Sequence, residues 1–224
     1  MDADRAPETG TPAQPARDCP LCPRLVEFRT RNRAAFPEFH NAPVPSFGPG
    51  EARLLVVGLA PGLKGANKTG RPFTGDFAGD LLYDTLLTFG FARGTYAARP
   101  DDGLALVDCR ITNAVRCVPP ENKPVGAEIA TCRRFLESEI ACLDRLAAIV
   151  ALGQVAHKAV IAAVGARQAA HPFAHGACRR LDGGPTLFDS YHCSRYNTNT
   201  GRLTEAMFRD VFRSVRAHLD ASPA

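Results

Sequence analysis

The sequence predicts an α/β protein, a three-layer α/β/α sandwich around a short, mainly four-stranded parallel sheet. Four short β-branched or aliphatic runs recur along the chain, and helical apolar patterns separate them. Polar, sharply turning loops follow three of the four runs. Alternating β and α with connections of this length gives a doubly wound sheet whose strands are buried on both faces.

The first run is RLLVVG at residues 53–58, continuous rather than alternating, as a strand covered on both sides should be. Leu82, Leu86 and Phe89 then form an i, i+4, i+7 stripe closed by Gly90, which reads as a helix. The second run covers residues 105–112. Ile129, Leu136, Ile140 and Leu143 place a further apolar stripe on a helix before the third run at 147–152. Residues 154–164 read as the next helix and 186–191 as the fourth run. A last helix spans 203–219, with Met207, Phe208, Val211, Phe212 and Val215 facing inward.

With 45% hydrophobic and 22% charged residues, the chain can bury a sizeable core. That composition excludes a wholly disordered chain, a collagen-like chain and a coiled coil. No uncharged apolar run approaches the roughly 20 residues that cross a bilayer, so no membrane partner is expected. A net charge of +4 permits a polyanionic partner without demanding one. Residues 1–18 are rich in Ala, Pro and Thr, lack an apolar segment of the signal-peptide kind, and read as a disordered leader to a single domain over 19–224. The chain is therefore expected in the reducing cytoplasm. There, eight cysteines speak for metal or cluster ligation or core filling rather than for disulfides.

In such sheets the ligand site lies beyond the carboxyl ends of the strands. The loop after the first run is GLAPGLKGANKTGRPFTGD. Residues 62–69 nearly spell a phosphate-binding P-loop, with Asn67 in place of the second glycine. A P-loop runs directly into a helix, but Lys68 and Thr69 are followed by Gly70, Arg71, Pro72 and Gly75, all poor helix starters. The loop does supply an aromatic, Phe73, and a carboxylate, Asp76. One reading stacks a flat ring on Phe73, with a water or cationic centre near Asp76. The other makes Phe73 core and Asp76 the cap of a helix beginning near Ala78.

Cys19 and Cys22 form a C-x-x-C; Cys117 follows the second run, and Cys132 lies fifteen residues on. Four thiolates so arranged suit tetrahedral zinc or a [4Fe–4S] cluster, and spacing does not decide between them. Cys109, Cys142, Cys178 and Cys193 have no partners at ligand spacing, and Cys109 and Cys142 read as buried thiols. His192, just past the fourth run with Ser194 and Asn197 beside it, reads either as a catalyst or as a satisfied hydrogen-bonder. The chain contains neither G-x-S-x-G nor H-E-x-x-H.

Together these loops resemble the uracil-DNA glycosylase superfamily, in its iron–sulfur branch. The first loop is similar to the opening motif of family 5, the type-b enzymes, with Leu59 where family 4 has an acidic residue. NAVRCVPPENKP is similar to the middle motif, and HCSRYNTNTGRLT to the closing one, with Cys193 where the family usually has proline. Order and spacing agree from Cys19 to about Phe212. The resemblance implies that Cys19, Cys22, Cys117 and Cys132 hold a structural [4Fe–4S] cluster. It also implies that Phe73 stacks on the extruded base, that Asn113 reads its edge beside Gly58, that Asp76 positions the attacking water and that His192 lies near the base carbonyl.

Lys68, Arg116, Ser194, Arg195, Asn197 and Arg202 are the expected DNA contacts. The activity implied is that of a monofunctional DNA N-glycosylase in base excision repair, needing no Mg²⁺ and acting as a monomer. It would remove uracil, and other deaminated bases such as hypoxanthine, from DNA. Two rival readings are a metal-stabilised nucleic-acid-binding module without chemistry and a nucleotide hydrolase using the near-P-loop.

Overall fold

Each aliphatic run becomes a strand because both of its faces find cover. The computed structural model describes residues 10–221, and every residue of β1 (Leu54–Gly58), β5 (Ala148–Leu152) and β7 (Thr186–Ser190) is buried. Along these strands side chains alternate between two cores. Leu54, Val56, Val150 and Phe188 face α3 (Phe77–Thr88) and α7 (Glu205–Ala221). Leu55, Val57, Ile149 and Leu187 face α4 (Gly126–Ala141) and α5 (Gln154–Ala163). Each such aliphatic side chain stabilises the sandwich by about 1.5–3 kcal/mol on burial. The stripe Phe208, Val211, Phe212, Val215 and Leu219 is the buried face of α7, so the helical spacing read from the sequence is the packing spacing.

The strand order is β4-β1-β5-β7-β6, with β4 (Cys109–Asn113), β1, β5 and β7 parallel. Those are the four runs expected. A fifth strand, β6 (Cys178–Arg180), lies antiparallel on the β7 edge. The opposite edge is shielded by Phe47, which exchanges both backbone hydrogen bonds with Ile111. The run at 105–112 divides at Asp108, whose left-handed backbone (φ 51°) ends the two-residue β3 (Ala105–Leu106) before β4 begins. β3 pairs with β2 (Ala92–Arg93) in a separate small ribbon.

Three helices escaped the sequence pattern: α1 (Pro23–Ala35), the one-turn α2 (Ala66–Thr69) and α6 (Arg195–Asn199). The first nine residues of the expected leader lie outside the described residues. From Gly10 on the chain is docked rather than loose: Pro12 is buried, the Ala13 N–H donates to Ser138 Oγ (2.8 Å), and the Gln14 amide bonds Glu139 (3.2 Å). Polar composition suggested disorder there, but this segment finds its partners on a buried ion pair. Among the described residues no helix is long and apolar enough to cross a membrane.

Because the four parallel strands run one way, Gly58, Asn113, Leu152 and Ser190 end at a common rim, and the loops carrying the unusual residues leave from it.

Candidate active site

A cleft of about 1420 Å³ opens at that rim, between the glycine-rich loop after β1, the start of α3, the start of α5 and the loop after β7. Asp76 and His192 line it. Asp76 is the N-cap of α3: its Oδ1 accepts the Gly79 N–H at 3.1 Å. Its other oxygen, Oδ2, faces the glycine-rich wall. A Cβ on Gly65 would fall 2.5 Å from Oδ2, so this wall reaches the carboxylate only as glycine. Burial pushes the Asp76 carboxyl above its usual range, the Gly79 N–H works against that shift, and nearby Asp80 adds to it. The capping reading of Asp76 is thus realised through Oδ1.

Across the cleft, burial pulls the His192 imidazole down to about 4, so the ring is neutral at physiological pH and offers one N–H. Asn197 Nδ2 donates to the His192 carbonyl (2.8 Å), and Ser194 caps α6 through the Asn197 N–H. The Cys193 thiol is fully buried and donates to the Ala78 carbonyl at 3.4 Å, tying the His192 loop to the helix that Asp76 caps. Here a thiol supplies a tether where proline would supply stiffness.

Gly58, Phe73 and Asn113 meet one another beside the cleft, though none of the three is part of its lining. A Cβ on Gly58 would lie 2.4 Å from Asn113 Oδ1 and 2.5 Å from Phe73 Cζ, so the amide and the ring share the space that glycine leaves. Phe73 and Asn113 are 6% and 4% exposed, and no protein partner of the Asn113 amide is found among the described residues. The Phe73 ring lies 6.0 Å from the His192 ring at 28°. Phe73 holds a left-handed backbone (φ 52°), a strained state that its surroundings must enforce.

They do so through contacts the sequence did not announce. Arg71, buried between the Phe47, Tyr83 and Tyr96 rings, forms a bidentate pair with the buried Asp102 (2.8 and 2.7 Å) and donates to Thr74 Oγ1. Tyr83 and Tyr96 donate to the carbonyls of Pro72 and Phe73. Gly79 lets the Phe73 carbonyl approach, since a Cβ there would sit 1.8 Å from that oxygen.

The near-P-loop is not a phosphate cradle. Its helix is one turn long, ended by left-handed Gly70, and Asn67 is buried with its amide on Asn41 Oδ1 (2.9 Å).

The expected DNA contacts divide. Ser194, Arg195, Asn197 and Arg202 line the cleft. Lys68 lies outside its lining, with its ammonium 5.5 Å from the Phe39 ring, and Lys64 lines it instead. Arg116 is no surface contact: it is 2% exposed and donates to Thr112, Gln14 and Glu139. A sequence does not distinguish a solvated arginine from one turned inward on a buried carboxylate. Tyr196, passed over in the sequence, is 72% exposed on α6 beside Arg195. Its place in the closing motif was the available signal.

Cys19, Cys22, Cys117 and Cys132 line one small apolar cavity with Leu25 and Val115. The Arg116 N–H donates to Cys132 Sγ (3.4 Å), and Arg29, itself buried, reaches Cys117 Sγ (3.9 Å) and the Cys19 carbonyl (3.0 Å). Burial holds the Cys117 and Cys132 thiols above their ordinary range, so it takes a bound cation to keep them ionised. Among the described residues no three Cys, His, Asp or Glu side chains gather around one point as a single metal ion requires.

An open, mainly parallel sheet, a cleft at its carboxyl rim lined by a carboxylate and an imidazole, and a buried ring and amide packed together at Gly58 outline the class. Residues 45–216 match the Uracil DNA glycosylase superfamily. The chain is 48% identical over 203 residues to the type-5 uracil-DNA glycosylase of Thermus thermophilus, covering 88% of this chain and 92% of that protein. It is 40% identical over 204 residues to the type-5 enzyme of Pyrobaculum aerophilum, covering 89% and 88%. The type-4 uracil-DNA glycosylase of Pyrobaculum aerophilum is 34% identical over 152 residues, covering 67% and 63%. The chain belongs to the uracil-DNA glycosylase superfamily, among relatives of type 5.

Proposed function

We propose that this protein is a DNA repair glycosylase that removes uracil from DNA by hydrolysis and leaves an abasic site. The observation that carries this reading is one cleft lined both by Asp76, whose Oδ1 accepts the Gly79 N–H, and by the neutral His192 ring. The C1′–N1 bond breaks heterolytically, and its electron pair leaves with the base. The sugar becomes oxocarbenium-like while negative charge gathers on the base oxygen. Asp76 as carboxylate favours the sugar cation and holds a water; that water adds to C1′ as its proton passes to Asp76, and the departed base anion takes up a proton from solvent. The His192 N–H donates to the developing oxyanion. Both groups are fixed before substrate arrives, Asp76 by its cap and His192 by Asn197 and Cys193, so little reorganisation is left for the reaction.

The base is read by the Asn113 amide and stacked on Phe73, with Gly58 leaving room for both. Extrusion from a duplex costs a few kcal/mol, least at a mismatch, so uracil opposite guanine is the favoured duplex substrate. Tyr196, exposed on α6, is the candidate wedge for the gap the base leaves. Lys64, Arg195 and Arg202 serve the phosphates. Other deaminated bases, hypoxanthine among them, belong to the same reading. So do a monomer acting in the cytoplasm, chemistry that needs no Mg²⁺, and a structural [4Fe–4S] cluster on Cys19, Cys22, Cys117 and Cys132. Four thiols around a shared apolar cavity, with donors aimed at two of them, are the donor set such a cluster takes.

Iron and sulfide content and visible absorbance test the cluster; zinc at one equivalent would replace it. Single-turnover excision from U:G, U:A and hypoxanthine:T duplexes tests the diet. U:G faster than U:A is expected, and equal rates would contradict the extrusion argument.

A further inference from the structure

The cleft is larger than one extruded nucleotide requires, since pockets of about 300–1000 Å³ already enclose drug-sized ligands, and its far half is built as carefully as the catalytic half. There Tyr191, the residue before His192, stacks on His175 (4.9 Å between centroids, 13°) and carries the Arg202 guanidinium over its ring at 4.6 Å. Phe173 continues this wall at 6.1 Å from Tyr191. The wall is braced from behind. His157 is buried, with Nδ1 2.7 Å from Asp189 Oδ1 and Nε2 2.8 Å from the His171 carbonyl. Held between these two oxygens, the ring pins the 171–175 segment to β7. The Tyr191 N–H donates to His175 Nδ1 (3.1 Å), which fixes the stacked ring in place.

Arg202 is exposed, and among the described residues no carboxylate pairs with it, whereas Arg209, Arg213 and Arg216 of α7 are all ion-paired. A flat cation laid on an aromatic column and left unneutralised beside a DNA cleft offers a π-face and a charge together.

We propose that the Phe173–His175–Tyr191–Arg202 wall is a second nucleotide subsite. It receives the unpaired base next to the extruded one by stacking, with the Arg202 N–H groups on the adjoining phosphate. The proposal rests on the DNA-glycosylase reading of the same cleft and adds to it. Because a neighbour still paired in a duplex cannot reach the wall, the subsite acts on single-stranded or locally opened DNA. The wall is assembled before DNA arrives, so one base should gain the full worth of an aromatic stack.

The test is binding, measured by fluorescence anisotropy on the full-length protein. Single-stranded oligonucleotides carry a tetrahydrofuran residue at the target position. The neighbouring nucleotide on either side is an ordinary base or a second tetrahydrofuran. Removing the base on one side should weaken binding by about tenfold. Arg202→Ala should abolish most of that difference. Arg202→Lys, which keeps the charge and loses the plane, should abolish it as well.

Binding that ignores both neighbours would overturn the proposal, and so would full retention of the difference in Arg202→Lys, which reduces Arg202 to a phosphate contact. Excision of uracil from matching single strands is followed in parallel. Neighbour-dependent binding without excision supports the wall and sinks the glycosylase reading. Excision with neighbour-blind binding does the reverse.

Discussion

Asp76 serves two masters, and a single substitution separates them. Asparagine keeps an acceptor for the Gly79 N–H and remains a good N-cap, but it cannot stabilise a cationic sugar. Asp76→Asn should lower the single-turnover excision rate by ~10²–10³-fold while leaving DNA affinity near its wild-type value. Folding raises the Asp76 pKa, so the native state is most favoured with the carboxyl protonated and loses stability as pH rises through that pKa. Asp76→Asn should therefore be as stable as wild type or more so at neutral pH, the gap closing in acid. A clear loss of thermal stability would make Asp76 chiefly a structural cap.

The same shift sets the activity profile. Excision should fall toward acid as Asp76 is protonated, with a midpoint above the ordinary 3.8. His192, neutral down to about 4, should add no limb near neutrality. Beside the cleft, Gly58→Ala would push a methyl into Asn113 and Phe73, and excision should drop severely with the protein still folded. Sequence reading raised the cap and the catalyst for Asp76 as alternatives. The structure shows the cap, and because it engages Oδ1 the catalytic alternative proposed for the same residue remains compatible with it.

Among the elements, the segment from Arg71 to α3 decides whether the base-stacking ring stands ready. Removing Asp102 would leave the Arg71 guanidinium buried without its partner, a change that costs about 3–5 kcal/mol. Asp102→Ala should lower the urea midpoint accordingly and weaken substrate binding, because the strained Phe73 backbone depends on this clamp. The strands were legible because burial on both faces leaves continuous aliphatic runs, as in β5, AIVAL. β6 was not: its three residues, Cys178-Arg179-Arg180, sit on an edge and carry no apolar pattern. Nor was α1, whose buried residues are Leu25, Arg29 and Asn32. That helix packs on the cysteine cavity rather than on the sheet, so its inward face is polar and no stripe betrays it. The motif loops betrayed Asp76, Phe73, Asn113 and His192 by residue type and position. The Arg71–Asp102 clamp joins residues 31 apart, and nothing local marks it.

Taken whole, the molecule joins a sheet rim, where the proposed chemistry falls, to the cavity lined by Cys19, Cys22, Cys117 and Cys132, where the proposed cluster falls. Cys117 follows β4 by four residues, so losing a ligand there should be felt in the fold first. Cys117→Ser should lose visible absorbance and melt several degrees lower, with activity falling only as far as the folded fraction falls; unchanged melting would remove the structural role. DNA affinity should weaken steeply with salt, since Lys64, Arg195 and Arg202 line the cleft as cations. The central claim is that this cleft breaks a glycosidic bond in DNA and does nothing further to the strand. The direct measurement is excision from an end-labelled U:G duplex in EDTA, with half of each sample then heated in alkali, for wild type and Asp76→Asn. The account predicts strand breaks only after alkali, with wild type far faster than Asp76→Asn. Breaks before alkali, equal rates for the two proteins, or no breaks from folded protein would contradict it.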